Sequence, residues 1–172
     1  YKFSLSRPVA GDLQTVTIKR DNLGQLWVCF SVVQEVPEPV VISTGNSDGF
    51  DFGLIDSLRD RDGNIYPSPQ FFQAEWREIA RLNRSLTRKV KGSNNWHKAK
   101  QRLAKAHRRM AHKRLDAHGK LAHELASQFD YLFFEDLNSK GMQQLWGRKV
   151  SDSGWATFLP IQEQVCRKTG KQ

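Results

Sequence analysis

Two acidic residues sit where the sequence places rigid backbone. In "FDYLFFEDLNSKGM" (residues 129–142) an aromatic and aliphatic run ends in the adjacent pair Glu135 and Asp136, and in "DGFDFGL" (residues 48–54) Asp51 interrupts an apolar run between Gly49 and Gly53. An unpaired charge is costly to bury. Carboxylates at the ends of core strands are therefore expected at a sheet edge, held rigidly but open to solvent, where α/β proteins collect their sites. Two hard oxygen donors on rigid strands suit Mg²⁺ ions that must meet phosphates. The structural alternatives are a turn role for Asp51 beside glycine and an Asx-type cap for Asp136.

The charge distribution names the partner class. The 172 residues carry a formal net charge of +9. Between Gln73 and Gln128 there are 15 Lys and Arg against 4 Asp and Glu, whereas the remainder has 12 against 14. A solvated surface usually mixes both signs, so a one-signed segment this dense points to a polyanion, foremost nucleic acid. Four histidines (His107, His112, His118, His123) fall in the same segment, but spacings of five and six do not share a helical face as i, i+4 metal ligands would. Cys29 and Cys166 form no CxxC pair and read as core residues, leaving no zinc site within the chain. No apolar run approaches a membrane span and the start shows no leader pattern, so a cytoplasmic setting without a membrane partner is expected.

The elements that must position these groups follow from periodicity. "LQTVTIKR" and "QLWVCFSVV" flank the turn "DNLG" and predict a β-hairpin. A stretch rich in Pro and Gly follows, and a new unit begins near Gly45. Phe72, Trp76, Ile79, Leu86 and Val90 recur at helical spacing. After "KGSNN" a second helix is marked by Trp96, Ala99, Leu103, Ala106, Met110, Ala117, Leu121 and Leu125. The two form an antiparallel hairpin with apolar seams inward and Arg and Lys outward. Arg81, Arg84, Arg88, Lys98, Arg102, Lys105 and Arg109 are the candidate nucleic-acid-binding residues. "YLFFE" reads as a buried strand, and "SDSGWATFLPIQEQVCRKTG" as a helix capped by Ser151 or Ser153 and closed by Gly170. Alternating strands and helices predict an α/β layer with at least one parallel pairing.

"GFDFGL" and "FFEDLNSKGM", separated by a basic helical hairpin and followed by "LWGRKVSDSGW", resemble the two sequence blocks of TnpB-type proteins, the OrfB-family transposases of insertion sequences. The resemblance implies an RNase H-like (RuvC-like) mixed sheet interrupted by the hairpin at about 70–128, in a partial nuclease domain over 45–172. It also makes residues 1–36 the end of an N-terminal β-barrel module. It implies RNA-guided DNA cleavage by two-metal hydrolysis, with Asp51 and Glu135 as catalytic and Mg²⁺-binding residues, Asp136 outside the metal-binding set, and DNA and guide RNA as partners. The pattern is incomplete at both ends: the family's zinc ribbon and third catalytic aspartate lie beyond "CRKTGKQ". Asp56, Arg59 and Asp60 are expected to interrupt a strand that is normally apolar, and Ser153 stands where an apolar residue is usual. A truncated, inactive fragment that still binds nucleic acid is the expectation. A non-catalytic basic binding module is the alternative, and a glycosidase-like carboxylate pair is disfavoured by the polycationic hairpin.

Overall fold

A computed structural model describes residues 4–35, 37–53, 57–67, 71–135 and 155–172. Asp56, Asp136, Ser151, Ser153 and most of "LWGRKVSDSGW" lie outside them, so the expectations placed on these residues are not addressed by it.

The first two strands, β1 (Asp12–Arg20) and β2 (Leu26–Val33), form the expected antiparallel hairpin, with a register shift between Leu13 and Thr15. Among the described residues no layer covers this ribbon. Leu13, Val16, Ile18, Leu26, Trp27 and Val33 are all exposed, and Cys29 is exposed with them rather than in a core. Cys29, read as a core residue because it forms no CxxC pair, is exposed, since a two-stranded ribbon has no interior.

A second sheet contains β3 (Ser47–Gly53), β4 (Ser57–Asp60), β5 (Ile65–Tyr66) and β6 (Tyr131–Phe134) in the order β5-β4-β3-β6. β3 runs antiparallel to β4 and parallel to β6. A parallel neighbour needs a long crossover. Here it is supplied by α1 (Phe71–Thr87) and α2 (Asn94–Gln128). Val90 falls in the connection rather than in α1 and is exposed. Ser93 caps α2, accepting a hydrogen bond from the Trp96 amide at 3.2 Å. The third helix, α3 (Trp155–Thr169), ends at Gly170, whose φ of 70° suits a residue without Cβ.

α2 serves two cores. Its N-terminal half packs Ala106, with Leu103 and Met110, against Ile79 and Leu82 of α1. Its C-terminal half packs Ala122, Leu125 and Ala126 onto the sheet, where Phe50, Phe52, Leu58 and Leu132 meet Phe158, Val165 and Cys166 of α3. At 1.5 Å per residue the 35-residue helix is about 50 Å long, which is how it reaches both. His118, the buried member of the four histidines, packs edge-on to the Phe158 ring at 5.6 Å, while His107, His112 and His123 are exposed.

Arg59 and Asp60 do not interrupt β4. Arg59 alternates to the exposed face, and Asp60 organises the turn into β5. Its Oδ1 accepts from the Asp62 and Asn64 amides at 3.1 and 2.8 Å, and its Oδ2 from Asn64 Nδ2 at 2.7 Å. Burial opposes the charge on Asp60, but these hydrogen bonds outweigh it and hold the carboxyl below its ordinary pKa. What the sequence presented as damage is turn chemistry: "DRDGN" is an Asx turn with Gly63 at φ 84°.

A clasp joins the two ends of the α/β unit. The Asp130 carboxylate accepts from Ser43 Oγ at 2.7 Å, from the Thr44 and Gly45 amides at 2.9 Å, and from the Lys171 ammonium, which also reaches the Ile42 carbonyl. Its backbone N–H donates to the Asn46 carbonyl at 2.8 Å. Lys171 foremost, then the Thr44 amide and the Ser43 hydroxyl, hold the Asp130 carboxyl far below the usual range. A depressed folded pKa stabilises above the unfolded carboxylate pKa of about 3.9 and loses that contribution as pH falls. Asp130→Asn is therefore expected to be less stable than the parent at neutral pH, with a gap that shrinks steadily below about pH 4. Denaturant titrations across pH would measure it, and a constant gap would refute the clasp.

The helical hairpin has its own lock. Glu75, almost fully buried, accepts from Lys113 Nζ at 2.7 Å and from Arg109 at 3.1 Å, and Arg109 also reaches Glu78 at 2.7 Å. Lys113 first and Arg109 second lower the pKa of Glu75. Both cations are half exposed, which screens the attraction. Glu75→Gln should cost about 1–2 kcal/mol, mostly from charged hydrogen bonds lost. Equal thermal denaturation midpoints for the variant and the parent would contradict this.

Candidate functional site

The parallel register of β3 and β6 decides where the two candidate carboxylates lie. The paired positions run from Ser47 beside Tyr131 to Phe50 beside Phe134. Asp51 is the next residue of β3 and Glu135 the first residue after β6, each one step beyond the last pair. Side chains alternate between faces. Phe50 and Phe52 are buried and Asp51 between them is exposed; Phe134 packs on the core and Glu135 after it is exposed. Asp51 in β3 and Glu135, the residue after β6, are thus both exposed at the same end of the parallel pair.

Why the chain folds this way locally is clear from the residues beneath. Phe50, Phe52 and Phe134 form a ring cluster, with Phe134 stacked on Phe50 at 5.3 Å and on Phe52 at 5.8 Å, and Phe158 of α3 closing it edge-on. Fully burying one such ring contributes about 1.5–3 kcal/mol, which anchors the backbone directly under the carboxylates. The exposed face opposite carries no comparable packing from described residues: Tyr131 and Phe133 are 49% and 63% exposed.

Arg59 completes a row across this face, a position to which the sequence alone assigned only disruption. It pairs with Asp51 across the antiparallel β3–β4 ladder. The order across three strands is Arg59, Asp51, Glu135: one cation and two carboxylates. Like charges in adjacent cross-strand positions repel, and a cation on the far side of Asp51 offsets part of that cost. Two further acids on these strands point the other way. Asp48 and Asp60 are buried, and Asp48 accepts from the Gly49 amide at 2.7 Å. Their strand parity removes them from the open face. Among the described residues no group of three His, Cys, Asp or Glu is arranged to hold a metal ion. Asp51 and Glu135 are two exposed carboxylates, and carboxylate oxygens are hard donors of the kind that divalent cations take.

The candidate nucleic-acid residues fall on two helical rows. Arg81 and Arg84 share a face of α1, with Arg88 just past its end, and Lys98, Arg102, Lys105 and Arg109 follow 4-3-4 spacing along α2; all seven are exposed. Arg109 is set apart from the other six because its guanidinium is engaged by Glu75 and Glu78, which raise its pKa. None of the other six makes an ion pair with a described residue. Sequence spacing could not separate them, since the acids that engage Arg109 lie more than thirty positions away.

No described helix is long and apolar enough to cross a membrane.

Comparison with known proteins bears on the same residues. The OrfB_IS605 family model, described as a probable transposase, matches residues 30–145, a span that includes both carboxylates and the whole helical hairpin. The chain is 30% identical over 153 residues to the "Putative RNA-guided DNA endonuclease InsQ" of Escherichia coli (strain K12), covering 89% of this chain and 38% of that protein. It is 25% identical over 173 residues to a "Putative RNA-guided DNA endonuclease" of Streptomyces pristinaespiralis, covering 99% of this chain and 42% of that protein. The TnpB-like protein L79 of Acanthamoeba polyphaga mimivirus is 30% identical over 149 residues, 82% of this chain and 28% of that protein. The chain spans less than half the length of these relatives, and with two thirds of its residues inside the family model it belongs to the OrfB_IS605 family of TnpB-type transposases.

Proposed function

We propose that the chain is the metal-binding and nucleic-acid-gripping part of a RuvC-like, RNA-guided DNA endonuclease, with Asp51 and Glu135 as its divalent-ion ligands. The observation that supports this reading is the parallel register, which ends with Phe50 beside Phe134, one residue before each of the exposed Asp51 and Glu135. The central position of β3, with β6 as its neighbour, supports an RNase H-type sheet. Residues 45–172 are then the nuclease domain with the hairpin at about 70–128 inserted, and the ribbon within residues 1–36 belongs to a β-barrel module.

In that mechanism the chain's own residues supply position and charge. Asp51 and Glu135 would hold Mg²⁺, which supplies Lewis-acid polarisation of a phosphodiester and activation of water. The phenylalanine cluster fixes the carboxylates from below, so they need little reorganisation when substrate arrives. Arg81, Arg84, Arg88, Lys98, Arg102 and Lys105 hold DNA or guide-RNA phosphates along the hairpin. Two carboxylates anchor one ion well and a second ion poorly, so residues 1–172 taken alone bind nucleic acid without cutting it. Arg59 beside Asp51 favours a second reading, in which the row is a structural charge balance and the chain is a non-catalytic binding module.

Metal binding separates the two. Mn²⁺ titrated into the purified chain should bind, and Asp51→Ala or Glu135→Ala should weaken it by about 10-fold or more. Binding unchanged in both variants would leave the structural reading. With Mg²⁺ or Mn²⁺ present, single-stranded and duplex DNA should be retained uncut. Cleavage that both substitutions abolish would show that another residue of this chain completes the site.

Phosphate contacts release counterions, so the hairpin rows set the salt dependence of binding. Replacing Arg84, Lys98 and Arg102 with Ser should reduce the slope of log K against log salt by about 0.9 per lost contact on duplex DNA. An unaltered slope would move the binding surface off the hairpin.

A further inference from the structure

A cleft of about 980 Å³ lies between the turn joining β1 to β2 and the helical hairpin. Its two walls are fixed to each other. Asp21 organises the turn, accepting from the Leu23 and Gln25 amides at 2.8 Å each. Arg108 of α2 donates to Asp21 at 3.2 Å and to the Gln25 side chain at 2.7 Å, which pins the turn to the helix. Asp21 is the single carboxylate lining the cleft, and Arg108 already engages it.

The remaining lining divides by chemistry. Leu23 on the turn, Leu86 of α1 and Leu103 of α2 make apolar walls, and the Trp96 indole adds a flat ring. Arg20 and Lys100 are exposed at the lining and bring positive charge, with exposed His107 beside them and the Lys100 ammonium 5.1 Å from the centre of the Trp96 ring. Flat apolar surface beside exposed cations is complementary to a base joined to phosphates, and the volume is ample for one nucleotide. Bases within a duplex are stacked and paired, so they cannot enter such a cleft without being extruded.

We propose that this cleft holds one unpaired nucleotide of a single-stranded nucleic acid, its base against Trp96 and Leu103 and its flanking phosphates toward Arg20 and Lys100. The inference rests on the nucleic-acid-binding reading above and adds a site to it, separate from the carboxylate row and from the hairpin's outer rows. The base takes the indole face that Lys100 now covers, and the ammonium shifts to the adjacent phosphate. Because the pinned turn forms one wall, the ribbon and the helical hairpin grip the same nucleotide from two sides.

The test measures affinities of the purified chain for short oligo(U), oligo(dT) and a duplex of equal length, together with the fluorescence of a 2-aminopurine placed within each single strand. Trp96→Leu should weaken single-strand binding by about 5- to 150-fold, the range for loss of one base–aromatic stack, and should abolish the quenching of 2-aminopurine seen with the parent. Duplex affinity should stay within about two-fold, since no base leaves the stack. A double Arg20→Ser, Lys100→Ser variant alters only exposed side chains and should weaken single strands in the same direction, which keeps the test decisive if Trp96→Leu fails to fold. Arg88→Ser, outside the cleft, should weaken both forms alike. Loss confined to oligo(U) or to oligo(dT) would support the site and identify which strand it takes. Equal losses on duplex and single strand, or no loss in either cleft variant, would overturn the cleft while leaving the hairpin reading standing. A parent chain that binds none of the three probes would overturn both.

Discussion

The hydrogen bonds of Asp130 fix the register on which the candidate site depends. Asp130 precedes β6 and grips the loop that precedes β3, through Ser43, Thr44 and Gly45, while its N–H meets the Asn46 carbonyl. Asn46 returns a side-chain bond to the Gln128 carbonyl at the end of α2. These contacts set where β3 starts relative to β6. A slip of one residue in a parallel pair would move every side chain of one strand to the opposite face. Asp51 would then turn inward against Phe158, and Glu135 would lose its neighbour. Lys171 closes the clasp, and Gln172 bonds to the backbone at Asp130 and Leu132. The strand pair is therefore held from three distant parts of the chain.

The same economy of parts appears in α2. A 35-residue helix with mixed surface would be marginal alone, since most helical stability in proteins comes from packing an apolar face. α2 has two such faces in succession. The first closes the hairpin over Ile79 and Leu82, and the second closes the sheet through Ala122, Leu125 and Ala126. Small alanines let the sheet approach closely, and Gln162 of α3 adds a buried bond to the Ala122 carbonyl at 3.4 Å. Because the helix is continuous, the basic row near its start and the residues that pack on the sheet near its end, Ala122, Leu125 and Ala126, lie on one rod. Arg108 ties the β-ribbon to that rod as well, although the ribbon carries no core of its own.

How much of this the sequence disclosed follows the range of the interactions involved. Period-two and helical patterns located the β-hairpin, the helical hairpin, the β6 strand and the α3 helix, because local side-chain alternation encodes them directly. The pairing of Asp51 with Glu135 as one candidate site rested on strand-end reasoning and family likeness, since eighty-four positions separate them in sequence. Four features were hidden. Arg59 faces Asp51 only through an antiparallel register that polar composition obscured, and Asp60 was mistaken for a broken strand although "DRDGN" carries a turn signature. Arg109 shares its helical row with free cations, and only tertiary contact with Glu75 and Glu78 sets it apart. Cys29 was assigned to a core that a two-stranded ribbon does not have.

The sheet divides stability from chemistry by face. Its covered side spends Phe50, Phe52, Leu58 and Leu132 on packing, and even the acids there, Asp48 and Asp60, satisfy themselves with nearby amides. Its open side concentrates what a fold would otherwise avoid: two carboxylates in adjacent positions and two large aromatics in solvent. Conflict between local preference and placement of this kind is expected where a surface serves binding rather than folding. Asp51–Glu135 repulsion is tolerable because strand pairing and the phenylalanine cluster over-determine the backbone beneath it, and because Arg59 stands on the other side of Asp51. In the proposed reading, a divalent cation held by both carboxylates would offset that repulsion.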